Sequence, residues 1–324
     1  MPLTRRTALV GASLSPLLSA QAAPAWVEGA PSPYAVQEIY PAVHEGSIWI
    51  AGGFSPQMMG ATERVIAYDI ASGTWREGPA LPTPSHHVHL ASWQGSLWAI
   101  GGFIGGPTRM NWTCTERVLK LEGDAWVEGP ALPKPIGEAA PIVHQERIHL
   151  IGGRSPAGAT NSAWSDHADV ADHFVMAVGA TQWESAAPLP MARNSAAAAA
   201  IGGVIHIISG RTVTGGQTGA HHVYDARSGA WREAAAFPEP RGGLAATVLN
   251  DKIVAGGGEV FSPPSVGDAL YEYEDATGWT RASYTLPTPR HGYGLVETSG
   301  ALYAMGGARN VGGAGTLTSL DIYR

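Results

Sequence analysis

Short runs of hydrophobic residues recur along the chain, and each run ends in a pair of glycines. Residues 97–102, with the sequence LWAIGG, give the clearest copy. The pattern occupies residues 48–53, 97–102, 148–153, 205–210, 253–258 and 302–307, with Ser209 in place of the first glycine of the fourth pair. A period of about 50 residues is the signature of a repeat architecture, so the pattern predicts one ring of similar units.

Each unit carries the signals of four successive strands. A proline-rich start and a strand of small residues lead through a turn to the strand that ends in the glycines, and two further strands follow. The third strand bears Tyr68, Tyr224, Tyr273 or Tyr323 near its end, and the fourth bears Trp75, Trp126, Trp183, Trp231 or Trp279. We expect the glycines to let one unit approach the large ring of the next, and each indole N–H to reach a backbone acceptor.

The six glycine pairs, followed by an aromatic residue and then a tryptophan, resemble kelch repeats over residues 24–324. This resemblance implies an all-β, six-bladed β-propeller with four strands in each blade. The last unit stops after its third strand, at residues 320–324, whereas residues 25–29 form a fourth strand with no unit of their own. The N-terminal strand is therefore expected to complete the last blade and close the ring, which pairs otherwise open strand edges.

Residues 1–23 precede the first repeat and have the composition of an export signal. Arg5 and Arg6 come before a weakly apolar run over residues 8–20, and Ala20-Gln21-Ala22 provides a small-residue cleavage site. The arginine pair resembles a twin-arginine signal, so we expect a periplasmic or secreted protein. No later segment has about 20 consecutive apolar residues, so no membrane insertion is expected after the signal is removed.

The charge balance narrows the class of partner. The chain has a net charge of -7, and removal of the export signal with its two arginines would bring this to -9. An acidic protein without a basic stripe is not expected to bind nucleic acid. The single cysteine, Cys114, cannot form an internal disulfide, so stability must come from the packed core. The sequence leaves the oligomeric state open.

Candidate functional residues occupy two equivalent positions in each repeat. In propellers of the kelch type, the start of the innermost strand and the residue after the glycine pair open on the same face of the ring. Aligning the repeats on their glycines gives a predicted binding set of His86, His87, Glu138, Arg154, Arg193, Arg211, Arg241, Arg290, His291 and Arg309, with Glu259 as the catalytic candidate. Equivalent positions are occupied by Gln37, Glu38, Phe54, Phe103 and Asn194.

The arginines of this set indicate a partner with negative charge. Six of them fall on one face of an acidic chain, and guanidinium groups bind carboxylate or phosphate with paired donors. A small anionic sugar or an acidic segment of a partner protein is therefore the expected ligand. The alternative is structural, because arginine at the start of a blade can hold neighbouring loops together.

Glu259 carries a second, enzymatic hypothesis. Opening a sugar hemiacetal requires a base for the anomeric hydroxyl and a donor for the ring oxygen, and a carboxylate beside arginine or histidine can take part in both. Gly258-Glu259 resembles the bacterial periplasmic sialic acid mutarotases, which implies a sugar mutarotase or epimerase with Glu259 in the acid-base role. The family pattern also has an arginine shortly after the glutamate, whereas the next arginine here is Arg281.

Cofactor chemistry is not expected. Copper radical oxidases also use kelch propellers, but their pattern needs a cysteine crosslinked to tyrosine and a Tyr-His pair, and this chain has one cysteine and no Tyr-His dipeptide. The longest loop could bind a divalent cation or could simply be solvated, because it contains Asp166, His167, Asp169, Asp172 and His173. The solvated loop is the preferred interpretation, so neither a metal nor a cofactor is predicted.

Overall fold

The computed structural model describes residue 1 and residues 24–324, so the predicted export signal after Met1 lies outside the described residues. The described chain is built almost wholly from β-strands, and its helices are two single turns of 3-10 helix, Pro56–Met58 and Trp164–Asp166. In these ranges no helix is long and apolar enough to cross a membrane. The prediction of an all-β fold is confirmed.

Six antiparallel sheets of four strands form the frame of the described chain, and we number them blades 1 to 6 in chain order. From the innermost strand outward, blade 1 contains Ala42–His44, Ser47–Ala51, Val65–Asp69 and Thr74–Gly78. Blade 2 contains His89–Trp93, Ser96–Ile100, Val118–Glu122 and Ala125–Glu128. Blade 3 contains Ala140–His144, Arg147–Ile151, His173–Met176 and Glu184–Ser185. Blade 4 contains Ala197–Ile201, Val204–Ile208, His221–Asp225 and Ala230–Glu233. Blade 5 contains Ala245–Leu249, Lys252–Gly256, Ala269–Glu274 and Gly278–Thr285. Blade 6 contains Gly294–Thr298, Ala301–Met305, Leu320–Tyr323 and Trp26–Glu28.

The blades stand side by side around a central channel. Each innermost strand contacts the innermost strand of the next blade, and that of blade 6 contacts that of blade 1. The second strands of the blades are largely buried, and every residue of Ser47–Ala51 is buried. Apolar side chains of neighbouring sheets pack face to face, so the hydrophobic core lies between the blades.

Blade 6 takes its outermost strand from the beginning of the described chain. Trp26–Glu28 pairs antiparallel with Leu320–Tyr323, and Trp26 stands opposite Tyr323. Their rings pack with centroids 5.3 Å apart. The two ends of the described chain are thereby joined in one sheet, as the orphan strand at residues 25–29 predicts.

The tryptophans of the fourth strands tie each blade to the one before it. Each indole N–H donates to a carbonyl of the segment that leaves the preceding blade, at 2.8 to 3.0 Å. The pairs are Trp75 with Ala30, Trp126 with Pro79, Trp183 with Pro130, Trp231 with Ala187 and Trp279 with Ala235. The expectation of a backbone acceptor is therefore confirmed at all five. Within the described residues, the buried indole N–H of Trp26 in blade 6 has no acceptor.

The glycine pairs allow neighbouring backbones to approach closely. Gly101 has a φ of +55°, and a Cβ built there would lie 2.6 Å from the carbonyl oxygen of Ile136 at the start of blade 3. The expected contact with a large ring is therefore wrong at Gly101, where the close neighbour is a main-chain carbonyl. A side chain at this position would push the two blades apart.

A short strand begins directly after five of the glycine pairs, all on one face of the ring. These strands are Phe54–Ser55, Phe103–Ile104, Arg154–Pro156, Arg211–Thr212 and Glu259–Phe261. Their partners are Gly60–Ala61, Thr113–Cys114 with Ser85–His86, His167–Asp169, Gly216–Gln217 and Pro264–Val266. The first residue of each short strand is thus held at the rim of the channel.

Candidate functional site

Six residues at the starts of the innermost strands surround the channel, and we call them the axial ring. They are Glu38, His87, Glu138, Ser195, Gly243 and Gly292. All six have φ between +50° and +65°, a left-handed conformation that is strained for the four with side chains. The N–H of His87 donates to the carbonyl of Glu38 at 3.1 Å, and four equivalent bonds pass from blade to blade. These bonds hold charged side chains at fixed positions near the centre of the molecule.

Two cavities meet at the axial ring. The upper cavity, of about 380 Å³, lies on the face of the short strands, and its polar lining includes Gln37, Glu38, Arg211 and Glu259. The channel cavity, of about 520 Å³, lies between the innermost strands. Among the described residues, Glu38 is the one that lines both. The upper cavity is of the size that binds small molecules.

Aromatic side chains form the walls of the upper cavity. They are Phe54, Trp112, Trp164 and Phe261. The guanidinium of Arg154 lies 4.0 Å from the centroid of the Trp164 ring, and Phe54 stacks on His86 with centroids 4.0 Å apart. Rigid apolar walls above a polar floor suit a ligand that has an apolar face and several hydroxyl groups.

Arg211 joins two buried carboxylates at the floor of the upper cavity. Its Nη1 donates to Oε1 of Glu259 at 2.8 Å, and its Nη2 donates to Oε1 of Glu138 at 2.9 Å. Burial alone would lower the pKa of Arg211, but the two carboxylates raise it above its ordinary value. Glu259 therefore has an arginine beside it, supplied by the preceding blade, although the next arginine in the sequence is Arg281.

Glu138 lies beneath this floor and accepts from two guanidinium groups. The second is that of Arg154, whose Nη1 lies 3.3 Å from Oε2 of Glu138. Burial alone would raise the pKa of Glu138, but the charges of Arg211, His87 and Arg154 lower it below its ordinary value. Glu138 is therefore an ionised anchor for the two arginines and does not line the upper cavity.

Glu38 begins a chain of hydrogen-bonded histidines. Its Oε2 lies 3.0 Å from Nε2 of His87, and Nδ1 of His87 lies 2.7 Å from Nδ1 of His86. His86 Nε2 donates to the carbonyl of Asn111 at 2.9 Å. Burial and the charge of His87 hold the pKa of His86 well below its ordinary value, so the neutral ring accepts at Nδ1.

These partners fix the protons of His87. Because His86 accepts, His87 donates at Nδ1, and its Nε2 then faces the Glu38 carboxylate. An ionised carboxylate can only accept, so a further proton lies between Nε2 of His87 and Oε2 of Glu38. Burial alone would raise the pKa of Glu38, but His87, followed by His291 and Arg211, lowers it to about 2. The shared proton therefore rests on His87.

The buried groups of the site balance in charge. The negative charges are the carboxylates of Glu38, Glu138 and Glu259. The positive charges are the guanidinium groups of Arg154 and Arg211 and the proton held at His87. A buried charge without a partner would cost several kcal/mol, so removal of any one of these groups disturbs the others.

His291 lies between the two carboxylates that line the upper cavity. Its Nδ1 is 3.5 Å from Oε1 of Glu38, and its Nε2 is 3.5 Å from Oε2 of Glu259. The Nε2 proton is donated to the carbonyl of Asn310 at 2.9 Å. The N–H of Gly312 donates to Oε2 of Glu259 at 2.8 Å, which holds Glu259 as a hydrogen-bond acceptor. The two carboxylates are therefore about one imidazole ring apart.

Two arginines of the predicted binding set are embedded in their own blades. Arg193 donates through Nε and Nη2 to the carbonyls of Ser209 and Ile207, at 2.8 and 2.9 Å. Arg290 is fully buried and pairs with Asp321. Each of these residues precedes the axial ring by two positions, and its side chain extends into the sheet. They join strands within a blade, as the structural alternative describes.

The remaining two arginines lie away from the floor of the upper cavity. Arg241 is partly exposed and pairs with Glu239, with N–O distances of 3.3 and 3.4 Å. Arg309 is exposed at the surface. Of the six arginines at the aligned positions, Arg211 lines the upper cavity and Arg154 supports it from behind.

The acidic and histidine side chains between Asp166 and His173, which suggested a metal site, contact different partners. Asp166 accepts two backbone N–H groups, Asp172 pairs with Lys134, and His173 contacts His149. Within residues 24–324 no group of three histidine, cysteine, aspartate or glutamate side chains could hold a metal ion. Cys114 is buried, and burial raises the pKa of its thiol.

Comparison with known proteins places the fold in a family. The chain is 27% identical over 207 residues to the Kelch-like protein terF of Aspergillus terreus, covering 62% of this chain and 44% of that protein. It is 24% identical over 205 residues to Beta-scruin of Limulus polyphemus, covering 59% of this chain and 21% of that protein. Its fold is that of a kelch-type propeller. The kelch resemblance of the six glycine pairs is thus confirmed.

A solved structure agrees with this kelch-repeat propeller over most of its length. The structure of YjhT matches with a TM-score of 0.76 and 17% identity, and the match covers 90% of this chain and 95% of that one. No protein-family model matches the chain. The chain spans less than half the length of either curated relative, so those relatives support the propeller fold and no particular ligand.

Proposed function

We propose that this kelch-repeat propeller binds a sugar-like ring in the upper cavity and exchanges its anomers by acid-base chemistry. The observation that carries the proposal is the placement of Glu38 and Glu259 in the lining of one aromatic-walled cavity, with His291 between them. Ring opening needs one group that accepts the proton of the anomeric hydroxyl and one that donates to the ring oxygen.

Glu259 is the base in this proposal. Its carboxylate accepts from Arg211 and from the N–H of Gly312, which hold it in position as an acceptor for the proton of the ligand. The resemblance of Gly258-Glu259 to the mutarotases supports the same role. Trp112 and Trp164 would pack against the apolar face of the sugar ring and hold it above the carboxylate.

Binding of an acidic ligand without chemistry is the second candidate. Arg211 lines the upper cavity and uses Nε, Nη1 and Nη2 once each, so two of its five N–H donors stay available for a carboxylate. The carboxylates of Glu38 and Glu259 oppose this, because they give the lining more negative than positive charge. A neutral sugar therefore suits the cavity better than a sugar acid.

Anomer exchange can be measured directly by magnetisation-transfer NMR. The probes are glucose as a neutral sugar, glucuronate as a uronic acid and N-acetylneuraminate as a sialic acid. We expect the protein to accelerate exchange of at least one of them at catalytic concentration. Glu259→Gln should reduce the acceleration by about 100-fold or more, the usual contribution of a positioned acid or base.

The matched control is Glu239→Gln, which changes a carboxylate outside the upper cavity and should leave the exchange rate unaltered. Calorimetric titration with the same probes separates the two candidate functions. Binding of glucuronate or N-acetylneuraminate without faster exchange would support the second candidate. Absence of both binding and exchange for every probe would contradict both.

A further inference from the structure

Glu38 lies in the same cavity as Glu259, but the sequence-based hypothesis gives it no catalytic role. Glu38 is in the lining of both the upper cavity and the channel cavity. The side chain is 16% exposed, compared with 3% for Glu259, so Glu38 is the more accessible of these two carboxylates. A ligand that fills the upper cavity would leave Glu38 in contact with the channel.

The surroundings of Glu38 keep one proton within reach of the ligand. His87 donates at Nδ1 to His86, and its Nε2 directs a second proton to Oε2 of Glu38 at 3.0 Å. His87 does not line the upper cavity, so its proton can reach a ligand there only through Glu38. Glu259, in contrast, accepts from Arg211 and Gly312 and stores no proton. The two carboxylates are thus suited to opposite roles.

We propose that Glu38 is a second catalytic residue, which relays the proton of His87 to the ring oxygen of the bound sugar and returns it to His87 when the ring closes. This inference rests on the proposed anomer exchange. It assigns the proton donor of that reaction and the group that holds the proton between turnovers.

The proposed step balances in protons and electrons. The bond between the anomeric carbon and the ring oxygen breaks, and its electron pair stays on the ring oxygen, which takes a proton from Glu38. Glu38 takes the proton from Nε2 of His87, which becomes a neutral imidazole. Glu259 takes the proton of the anomeric hydroxyl as the carbonyl group forms. Closure of the ring on its other face runs the same transfers in reverse.

Gly292 provides the space that Glu38 needs. A Cβ built on Gly292 would lie 2.7 to 2.8 Å from the carboxyl atoms of Glu38, and the φ of this glycine is +55°. Gly292→Ala should therefore displace the carboxylate while leaving every titratable group in the protein. Gly300→Ala is the matched control, since Gly300 has a φ of +77° and no atom within 4 Å of a built Cβ.

The other charged and titratable groups that face Glu38 are His291, Arg211, Glu138 and Tyr40. Burial raises the pKa of Tyr40 well above its ordinary value, and carboxylates raise that of Arg211, so neither loses its proton near neutral pH. Glu138 stays ionised there because its pKa is lowered.

The test measures kcat and KM for anomer exchange with the most responsive sugar. We expect Glu38→Gln to lower kcat by about 100-fold with little change in KM. Gly292→Ala should lower kcat, whereas Gly300→Ala should not.

Each contrary outcome has a distinct meaning. Unchanged kcat in Glu38→Gln, or equal kcat in Gly292→Ala and Gly300→Ala, would overturn the relay, while exchange by the unmodified protein would keep the proposed function. Absence of exchange by the unmodified protein would overturn the proposed function and the relay together.

Discussion

At the scale of single residues, the site depends on charged side chains that each contact more than one partner of opposite charge. Arg211 is the central one, because it donates to Glu259 and Glu138 and lies in the lining of the upper cavity. Its aliphatic stem also packs closely, since a Cβ built on Gly242 would lie 2.9 Å from Cδ of Arg211. A change at this residue therefore affects two carboxylates and the packing of the neighbouring blade.

We predict that Arg211→Met destabilises the fold by about 3 to 5 kcal/mol at pH 7, because it removes the guanidinium that the buried carboxylates of Glu259 and Glu138 share. Urea unfolding measures this loss. Arg241→Met, at a partly exposed ion pair, should cost no more than about 1 kcal/mol. Adding Glu138→Gln to Arg211→Met should recover part of the loss. Equal effects of the two arginine changes would contradict the charge balance.

The alignment of repeats could place some of these residues and not others. Glu259 and Arg211 line the upper cavity because the residue after each glycine pair begins a short strand at its rim. Arg193 and Arg290 are equally close in sequence, but their side chains extend into the blades. The alignment includes the position of Glu38, but the left-handed φ of this residue has no sequence signal.

Two of the four aromatic wall residues, Trp112 and Trp164, lie in loops that follow no repeat. Trp112 and Trp164 reach the upper cavity because the loops of blades 2 and 3 contact each other, with the N–H of Trp112 donating to the carbonyl of Ser162 at 2.8 Å. Contacts between two irregular loops depend on their three-dimensional course. The strand periodicity, which predicts the sheets well, therefore could not place these two residues.

At the scale of elements, the blades are joined by one repeated device. The indole N–H in the fourth strand donates to a carbonyl of the segment that leaves the preceding blade, as in the 2.8 Å bond from Trp231 to Ala187. The sequence could predict this device because glycine pairs and tryptophans keep the same order in each unit. Blade 6 differs, since the described residues supply no acceptor for the indole of Trp26.

We predict that Trp231→Phe destabilises the protein by about 1 to 3 kcal/mol more than Trp26→Phe does. Both changes shorten a half-buried ring, but only the first removes a hydrogen bond. Thermal or urea unfolding of the two variants gives the difference. Equal destabilisation would mean that the indole bonds contribute nothing to the joining of blades.

At the scale of the whole molecule, two matching histidine pairs lie between blades. His149 Nδ1 donates to His173 Nε2 at 2.8 Å, and His206 Nδ1 donates to His221 Nε2 at 2.9 Å. Burial is the main cause that lowers the pKa of each ring, to about 3 for His149 and His221 and to about 4 for His173 and His206. Their neutral forms are thus part of the folded structure.

We predict that stability falls as the pH is lowered below about 6.5. An unfolded histidine binds a proton near that pH, whereas these folded histidines resist protonation until about pH 3 to 4, so acid favours unfolding. Each should contribute a slope of up to about 1.4 kcal/mol per pH unit in this window. Urea unfolding at pH 7, 6 and 5 measures it.

The double variant His206→Gln/His221→Gln provides the comparison for this pH effect. It removes two of the four histidine rings that form these pairs. The unfolding free energy of this variant should depend less steeply on pH, whatever its value at pH 7. A slope equal to that of the unmodified protein would show that the histidine pairs do not cause the acid sensitivity.

The strand Trp26–Glu28 has a consequence for the order in which the molecule folds. Its partner Leu320–Tyr323 comes roughly 300 residues later, so blade 6 can be completed only after the last strand has been synthesised. Loop-closure entropy grows slowly, by about 0.6 kcal/mol for each doubling of length, so this pairing is late without being weak. Until then the outer edge of blade 6 stays open, and a terminal strand from a second molecule could occupy it.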